Sequence, residues 1–118
     1  MSNTYQAMKL AKRAVELAPE EELNWETFGN SYLDEFNKDN DAMKALYRAV
    51  QAYDKAREID EKNCSFRRSP TLYYNLGQAY RMLELFGDAH DAFKQCIEYG
   101  KGIVPPVKNK YCKYFKFM

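Results

Sequence analysis

Two stretches of this 118-residue chain hold the side chains best suited to chemistry. Residues 22–36 read ELNWETFGNSYLDEF, and residues 70–83 read PTLYYNLGQAYRML. At helical spacing, Trp25, Phe28 and Tyr32 share one face of the first stretch, and the face away from them presents Glu26, Asn30, Leu33 and Asp34. The matching face of the second stretch presents Thr71, Tyr74, Asn75, Gln78 and Arg81. Each Asn or Gln amide combines donors with an acceptor, which suits it to the backbone of a bound peptide. Glu26 and Asp34 offer negative charge to a basic residue of that peptide. This is binding chemistry, and the alternative is a solvated polar helix face. Catalysis is not expected. There is one histidine, His90, no Gly-rich phosphate loop, and no Ser or Cys beside a candidate base. Cys64, Cys96 and Cys112 are odd in number and widely spaced, with no Cys-x2-Cys. Neither a metal site nor a disulfide framework is expected, no cofactor is implied, and a reducing compartment fits.

The elements that position these side chains are legible in residues 69–100, which read as one helix–turn–helix unit. The first helix carries Tyr73, Leu76, Gly77 and Tyr80, and the second carries Ala89, Phe93 and Cys96. Gly77 has no side chain, so two helices can approach closely there. Ala89 and Cys96 are small, and Tyr73, Tyr80 and Phe93 fill the space between helices. Phe86-Gly87-Asp88 is expected to form the turn, with Gly87 as the helix stop and Asp88 as the next N-cap. Aromatic-x2-Leu-Gly-x2-Tyr followed by Ala-x3-Phe-x2-small resembles the tetratricopeptide repeat (TPR) pattern.

Upstream, the same pattern recurs with two insertions. Residues 5–17 read as a helix with Ala7, Ala11 and Ala14 at helical spacing, closed by Pro19. They match the second helix of a repeat whose first helix would lie before Met1. Trp25, Phe28, Gly29 and Tyr32 occupy the four signature places of the next first helix. After a turn at 37–41, a long helix from about Ala42 to Ile59 carries Ala49, Tyr53 and Ala56. Ala49 comes eight residues late, so this helix is extended at its front, and Met43, Leu46 and Tyr47 on the extension need cover or stand exposed. Lys62–Ser69 is a second insertion, and Pro70 opens the following helix.

Charge is uneven. Residues 1–100 hold 13 Lys/Arg against 17 Asp/Glu, which argues against nucleic acid as the main partner of this region. Residues 101–118 hold five Lys and no acid, and poor order is expected there. The tail's lysines alternate with Tyr111, Tyr114, Phe115 and Phe117, a composition able to touch lipid or RNA. The ordinary alternative is sequence with no binding role. Arg67-Arg68 reads as a solvated loop, with contact to an acidic partner as the alternative. Met1–Thr4 leads into a charged helix with no apolar signal core, and no apolar run approaches the length of a membrane span.

Residues 7–70 resemble more specifically the central region of the family of tetratricopeptide repeat protein 5, also called Strap. The resemblance rests on Ala11-Lys12-Arg13-Ala14-Val15, on Asn24-Trp25 with Gly29-Asn30-Ser31-Tyr32-Leu33, on Ala49, Tyr53 and Ala56, and on Ser69-Pro70-Thr71-Leu72. It implies binding of the amino-terminal tubulin peptide, a role in tubulin autoregulation, and cooperation with transcriptional coactivators in cytoplasm and nucleus. Where that family has Asp after its Asn-Pro, this chain has Thr71. TPR domains that hold acidic chaperone tails resemble this one at Asn30 and Asn75, but Glu26 stands where their clamp has Lys.

The expectation is therefore an all-α TPR-type solenoid of about five helices. Residues 1–100 form the repeat region and 101–118 a basic aromatic tail. The expected role is a non-catalytic adaptor for a protein or peptide. The rival is an assembly module in which the face of Ala7, Leu10, Ala14 and Leu17 meets a second copy or a larger complex.

Overall fold

The computed structural model describes residues 3–39, 43–63 and 69–102. Among them are five α-helices and no strand: α1 Asn3–Leu17, α2 Glu22–Lys38, α3 Met43–Asn63, α4 Pro70–Met82 and α5 Phe86–Gly100. Each helix packs on the next in the chain, and α2 also touches α4. The all-α solenoid class is the observed one. Of the turn expected at 37–41, residues 37 and 38 belong to α2, and residues 40 and 41 lie outside the described residues. Likewise α3 continues to Asn63, past its expected end near Ile59. Cys64, Arg67-Arg68 and residues 103–118 of the basic tail lie outside the described residues.

Two glycines set the helix spacing. A Cβ added at Gly29 would stand 2.6 Å from the Tyr53 ring, and one at Gly77 would stand 2.6 Å from the Phe93 ring. Those distances are shorter than any carbon pair tolerates, so each ring lies directly on the backbone of the facing helix. Tyr53 follows its glycine by 24 residues and Phe93 follows its glycine by 16. The eight-residue difference is spread over both helices rather than confined to the expected front extension of α3: α2 runs on for nine residues past its glycine where α4 runs on for five, and α3 begins ten residues before its ring where α5 begins seven before.

Around these contacts the core is built from Leu46, Ala49, Tyr53 and Ala56 of α3, Leu72, Tyr73, Leu76, Ala79 and Tyr80 of α4, and Ala89 and Ala92 of α5. Alanines predominate on the second helices because the facing aromatics already fill the volume. Cys96 packs half-buried against this core, and His90 is exposed. On the α3 extension Leu46 is fully buried, whereas Met43 and Tyr47 are 42% and 55% exposed. On α1 the buried face is Ala11 and Val15, while Leu10 and Leu17 are 73% and 71% exposed. Ala7 is exposed and Ala14 half-buried.

Helix ends are closed by side chains reaching between elements. Asn24 of α2 donates its amide to the Ala14 and Ala18 carbonyls at the end of α1, at 3.3 and 3.2 Å. Trp25 Nε1 donates to the Pro19 carbonyl at 2.7 Å. At the corresponding place in the next unit, the Tyr73 hydroxyl donates to Asp60 at 3.2 Å. Ser69 caps α4, its hydroxyl accepting from the Leu72 N–H at 3.3 Å, with Pro70 in the first turn.

The turn between α4 and α5 corrects the sequence expectation. Phe86, Gly87 and Asp88 form the first turn of α5, so Gly87 is helical and Asp88 is not the N-cap. The reversal lies earlier, at Leu83–Leu85. There Glu84 takes φ 61°, the Glu84 N–H donates to Arg81 O at 3.0 Å, and the Leu85 N–H donates to Tyr80 O at 2.9 Å. These are the two bonds of a Schellman stop, with a glutamate where glycine is usual. The stop is complete before Gly87 is reached, which leaves that glycine no turn to make. Left-handed backbone strains a residue with a Cβ. Glu84→Gly is expected to stabilise the fold by about 0.5–1 kcal/mol, raising Tm by a few degrees in thermal denaturation followed by circular dichroism.

Candidate peptide-binding face

The nine polar and apolar side chains singled out on α2 and α4 do not form one uniform surface. Asn30 and Asn75 are brought together, 45 residues apart in sequence, the Asn75 amide donating to Asn30 Oδ1 at 3.0 Å. Tyr53 of α3 joins them from beneath, its hydroxyl donating to the same oxygen at 2.6 Å. Burial pushes the Tyr53 phenol up, and the nearby negative charges of Glu26 and Asp34 push it further. It therefore stays a neutral donor throughout the physiological range. Among the described residues the amide nitrogen of Asn30 donates no hydrogen bond and the amide oxygen of Asn75 accepts none. Together they offer one donor and one acceptor between two helices.

Tyr74, Gln78 and Arg81 form a ladder along α4. Gln78 Nε2 donates to the Tyr74 hydroxyl at 3.1 Å, and Arg81 Nε donates to Gln78 Oε1 at 3.2 Å. Tyr74 also stacks at a tilt against Phe93, with centroids 5.9 Å apart. Thr71 and Asp34 are exposed, and Leu33 is half-buried against the core.

Glu26 departs from the expectation of an open groove carboxylate. It is only 5% exposed, and the Ser69 hydroxyl donates to its Oε2 at 3.3 Å. The start of α4 covers it, because Ser69 must sit there to cap that helix. Glu22 lies one turn earlier on α2, and buried Asp60 of α3 completes an acidic cluster at this junction. Burial, a hydrogen bond to Glu26, and the charges of Glu26 and Asp60 raise the Glu22 carboxyl to about 8. Glu22 Oε1 is buried with no hydrogen-bond partner among the described residues. No group of acids, cysteines and histidine among the described residues is arranged to hold a metal ion.

On the far side of the same α3–α4 seam, the Tyr80 hydroxyl donates to Asp54 at 3.0 Å, and Arg57 pairs with Asp54 at 2.9 Å. Burial and the Asp54 charge raise the Tyr80 phenol to about 12. Sequence reasoning placed Tyr53 only at a signature position of the long helix. Its hydroxyl was the available signal, since a buried Tyr where the next unit uses Phe93 needs a polar partner. Ser69 and Asp60 offered no comparable signal.

No family model matches the chain, and no solved structure matches it. Among characterised proteins, it is 28% identical over 89 residues to tetratricopeptide repeat protein 5 of Homo sapiens, covering 75% of this chain. The Mus musculus protein of the same name matches to the same extent. Helices and similarity together support a TPR-like relationship. The chain spans about a fifth of the length of these relatives. No helix among the described residues is long and apolar enough to cross a membrane.

The Glu22 proton makes stability depend on pH. The folded carboxyl keeps its proton up to about 8, whereas the unfolded one loses it near 4.5. The folded state therefore binds the extra proton in that window, and the stability linked to Glu22 falls as pH rises through it. Glu22→Gln removes the titration. Melting curves at about pH 5, 7 and 9 should show the parent losing stability relative to the variant as pH increases. A constant difference across that range rules out a proton retained on Glu22.

Proposed function

We propose that this chain is a non-catalytic TPR-type module that binds an extended segment of another protein along α2 and α4. The observation that carries the reading is the Asn30–Tyr53–Asn75 network. Tyr53 and Asn75 hold Asn30 in one rotamer, so its free amide hydrogens and the Asn75 carbonyl are already oriented. A peptide bond needs one donor and one acceptor, and a preset pair loses little entropy on binding. Exposed Asp34, four residues beyond Asn30 on α2, supplies negative charge beside that pair. A basic side chain flanking the held backbone suits it.

The similarity to tetratricopeptide repeat protein 5 supports a protein partner. On the resemblance, the finer proposal is a Strap-like adaptor in cytoplasm and nucleus that receives the amino-terminal tubulin peptide, which begins Met-Arg-Glu, or a transcriptional coactivator. Because Glu26 is covered, Asp34 is the carboxylate available to the peptide's arginine. Fluorescence anisotropy with a labelled peptide of that start tests this directly. Asp34→Lys should weaken binding roughly threefold to tenfold, with the deficit shrinking in high salt. Equal affinities for parent and variant would remove the α2–α4 face from peptide recognition.

One observation favours a second reading. Leu10 and Leu17 lie on one side of α1 and are mostly exposed, as is Leu23 at 65% just beyond the turn. An apolar strip of this kind suits self-association through α1. Light scattering after size-exclusion chromatography should then report a dimer that Leu10→Glu converts to monomer, and a parent protein that is monomeric at high concentration sets this reading aside.

A further inference from the structure

A second recessed surface lies away from the α2–α4 face, in a cleft of about 440 Å³ formed by α1, the middle of α2 and the front of α3. Its wall carries four cations, Lys9, Lys12 and Arg13 from α1 and Arg48 from α3, against one acid, Glu16. Its apolar part is Met8 with the rings of Tyr5 and Tyr32. On α2, Tyr32 is two residues from both Asn30 and Asp34, which is about 160° round the helix. The cleft and the asparagine pair therefore open on opposite sides.

Three features distinguish this cleft from an ordinary basic surface. Its excess of three positive charges sits on residues 1–100, which carry an excess of four negative ones. Lys9, Lys12 and Arg13 occupy spacings of three and four along one helix, where like charges repel. None of the four cations forms an ion pair among the described residues, whereas Lys55, Arg57 and Lys62 of α3 all do. The aromatic rings are already in use as supports. Lys9 Nζ lies 5.3 Å from the Tyr5 centroid, and the Arg48 guanidinium 5.9 Å from that of Tyr32. Ring stacking holds those two charges without neutralising them. Arg48 lies on α3 five residues before Tyr53, so the helix that carries the core ring also builds this wall.

We propose that this cleft binds a short acidic peptide segment carrying an aromatic or aliphatic anchor. The anionic side chains pair with Lys9, Lys12, Arg13 and Arg48, and the anchor rests on Met8 and the tyrosine rings. A long polyanion fits less well, because it would extend past the four cations that line the cleft. The site is independent of the α2–α4 face and of the peptide proposed for it.

The test uses the full 118-residue chain and a fluorescein-labelled peptide of Glu and Asp residues with two Phe, followed by anisotropy. Saturable binding should weaken about tenfold or more in the double variant Arg13→Glu/Arg48→Glu, and should fall away by about 0.5 M salt. Lys94→Glu, the same charge change on α5, should leave affinity within about twofold. All variants retain the five lysines of residues 101–118, so a loss confined to the double variant reads the cleft. All these side chains are exposed, and unchanged melting curves confirm folding. No binding, or equal loss in both variants, overturns the proposal. Tighter binding of a short oligothymidine or of anionic vesicles through Arg13 and Arg48 also overturns it, and reassigns the cleft to nucleic acid or lipid.

Discussion

The structure depends on an aromatic ring lying flat against a helix backbone at a glycine. Gly29 meets Tyr53, and Gly77 meets Phe93. A single methyl at either position would force the two helices of its hairpin apart, and the alanine faces of α3 and α5 would lose their packing. The two hairpins tolerate very different lengths between glycine and ring because the contact constrains only one turn of each helix. Extra residues are accommodated at the end of α2 and the front of α3, away from that turn.

The choice of ring decides what the surface above it can do. Phe93 ends the contact in hydrocarbon, whereas Tyr53 carries a hydroxyl through to Asn30 and thereby to Asn75. A buried packing residue thus orients two surface amides on different helices. The polar tips of Trp25 and Tyr73 act in a related way, reaching back to Pro19 and Asp60 and tying each unit to the end of the one before. In this chain the aromatics that fill volume are also the residues that fix relative helix placement.

Charge is sorted by face. Acids gather inside the α2–α3–α4 junction, where burial keeps a proton on Glu22, and cations with no ion pair among the described residues line the cleft on the α1 side. The Asp54–Arg57–Tyr80 network closes the seam between α3 and α4. A chain whose formal net charge is +1 thus presents surfaces of opposite preference to its surroundings.

Much of this was legible before any fold was known. The all-α class, the helices and Gly77 as a point of close approach follow from spacing and residue type, because a helix places residues three and four apart on one side and glycine has no side chain to hold a neighbour off. Pro70 announced the start of α4 for the same local reason. The α4–α5 turn was misread because Gly87 is the residue best suited to a left-handed stop, yet the chain uses Glu84. Only the hydrogen bonds to Tyr80 and Arg81 show where the helix ends. The site was less legible still. Whether Glu26 is open or covered depends on Ser69, 43 residues away, and the Asn30–Asn75 bond spans 45. Helical periodicity assigns a residue to a side of its own helix, but it carries no information on which distant element covers that side. The sequence by itself determined the helices and the residues that let them approach. The tertiary structure alone decided which polar groups are joined, buried or left facing solvent, because those outcomes depend on distances between separate helices.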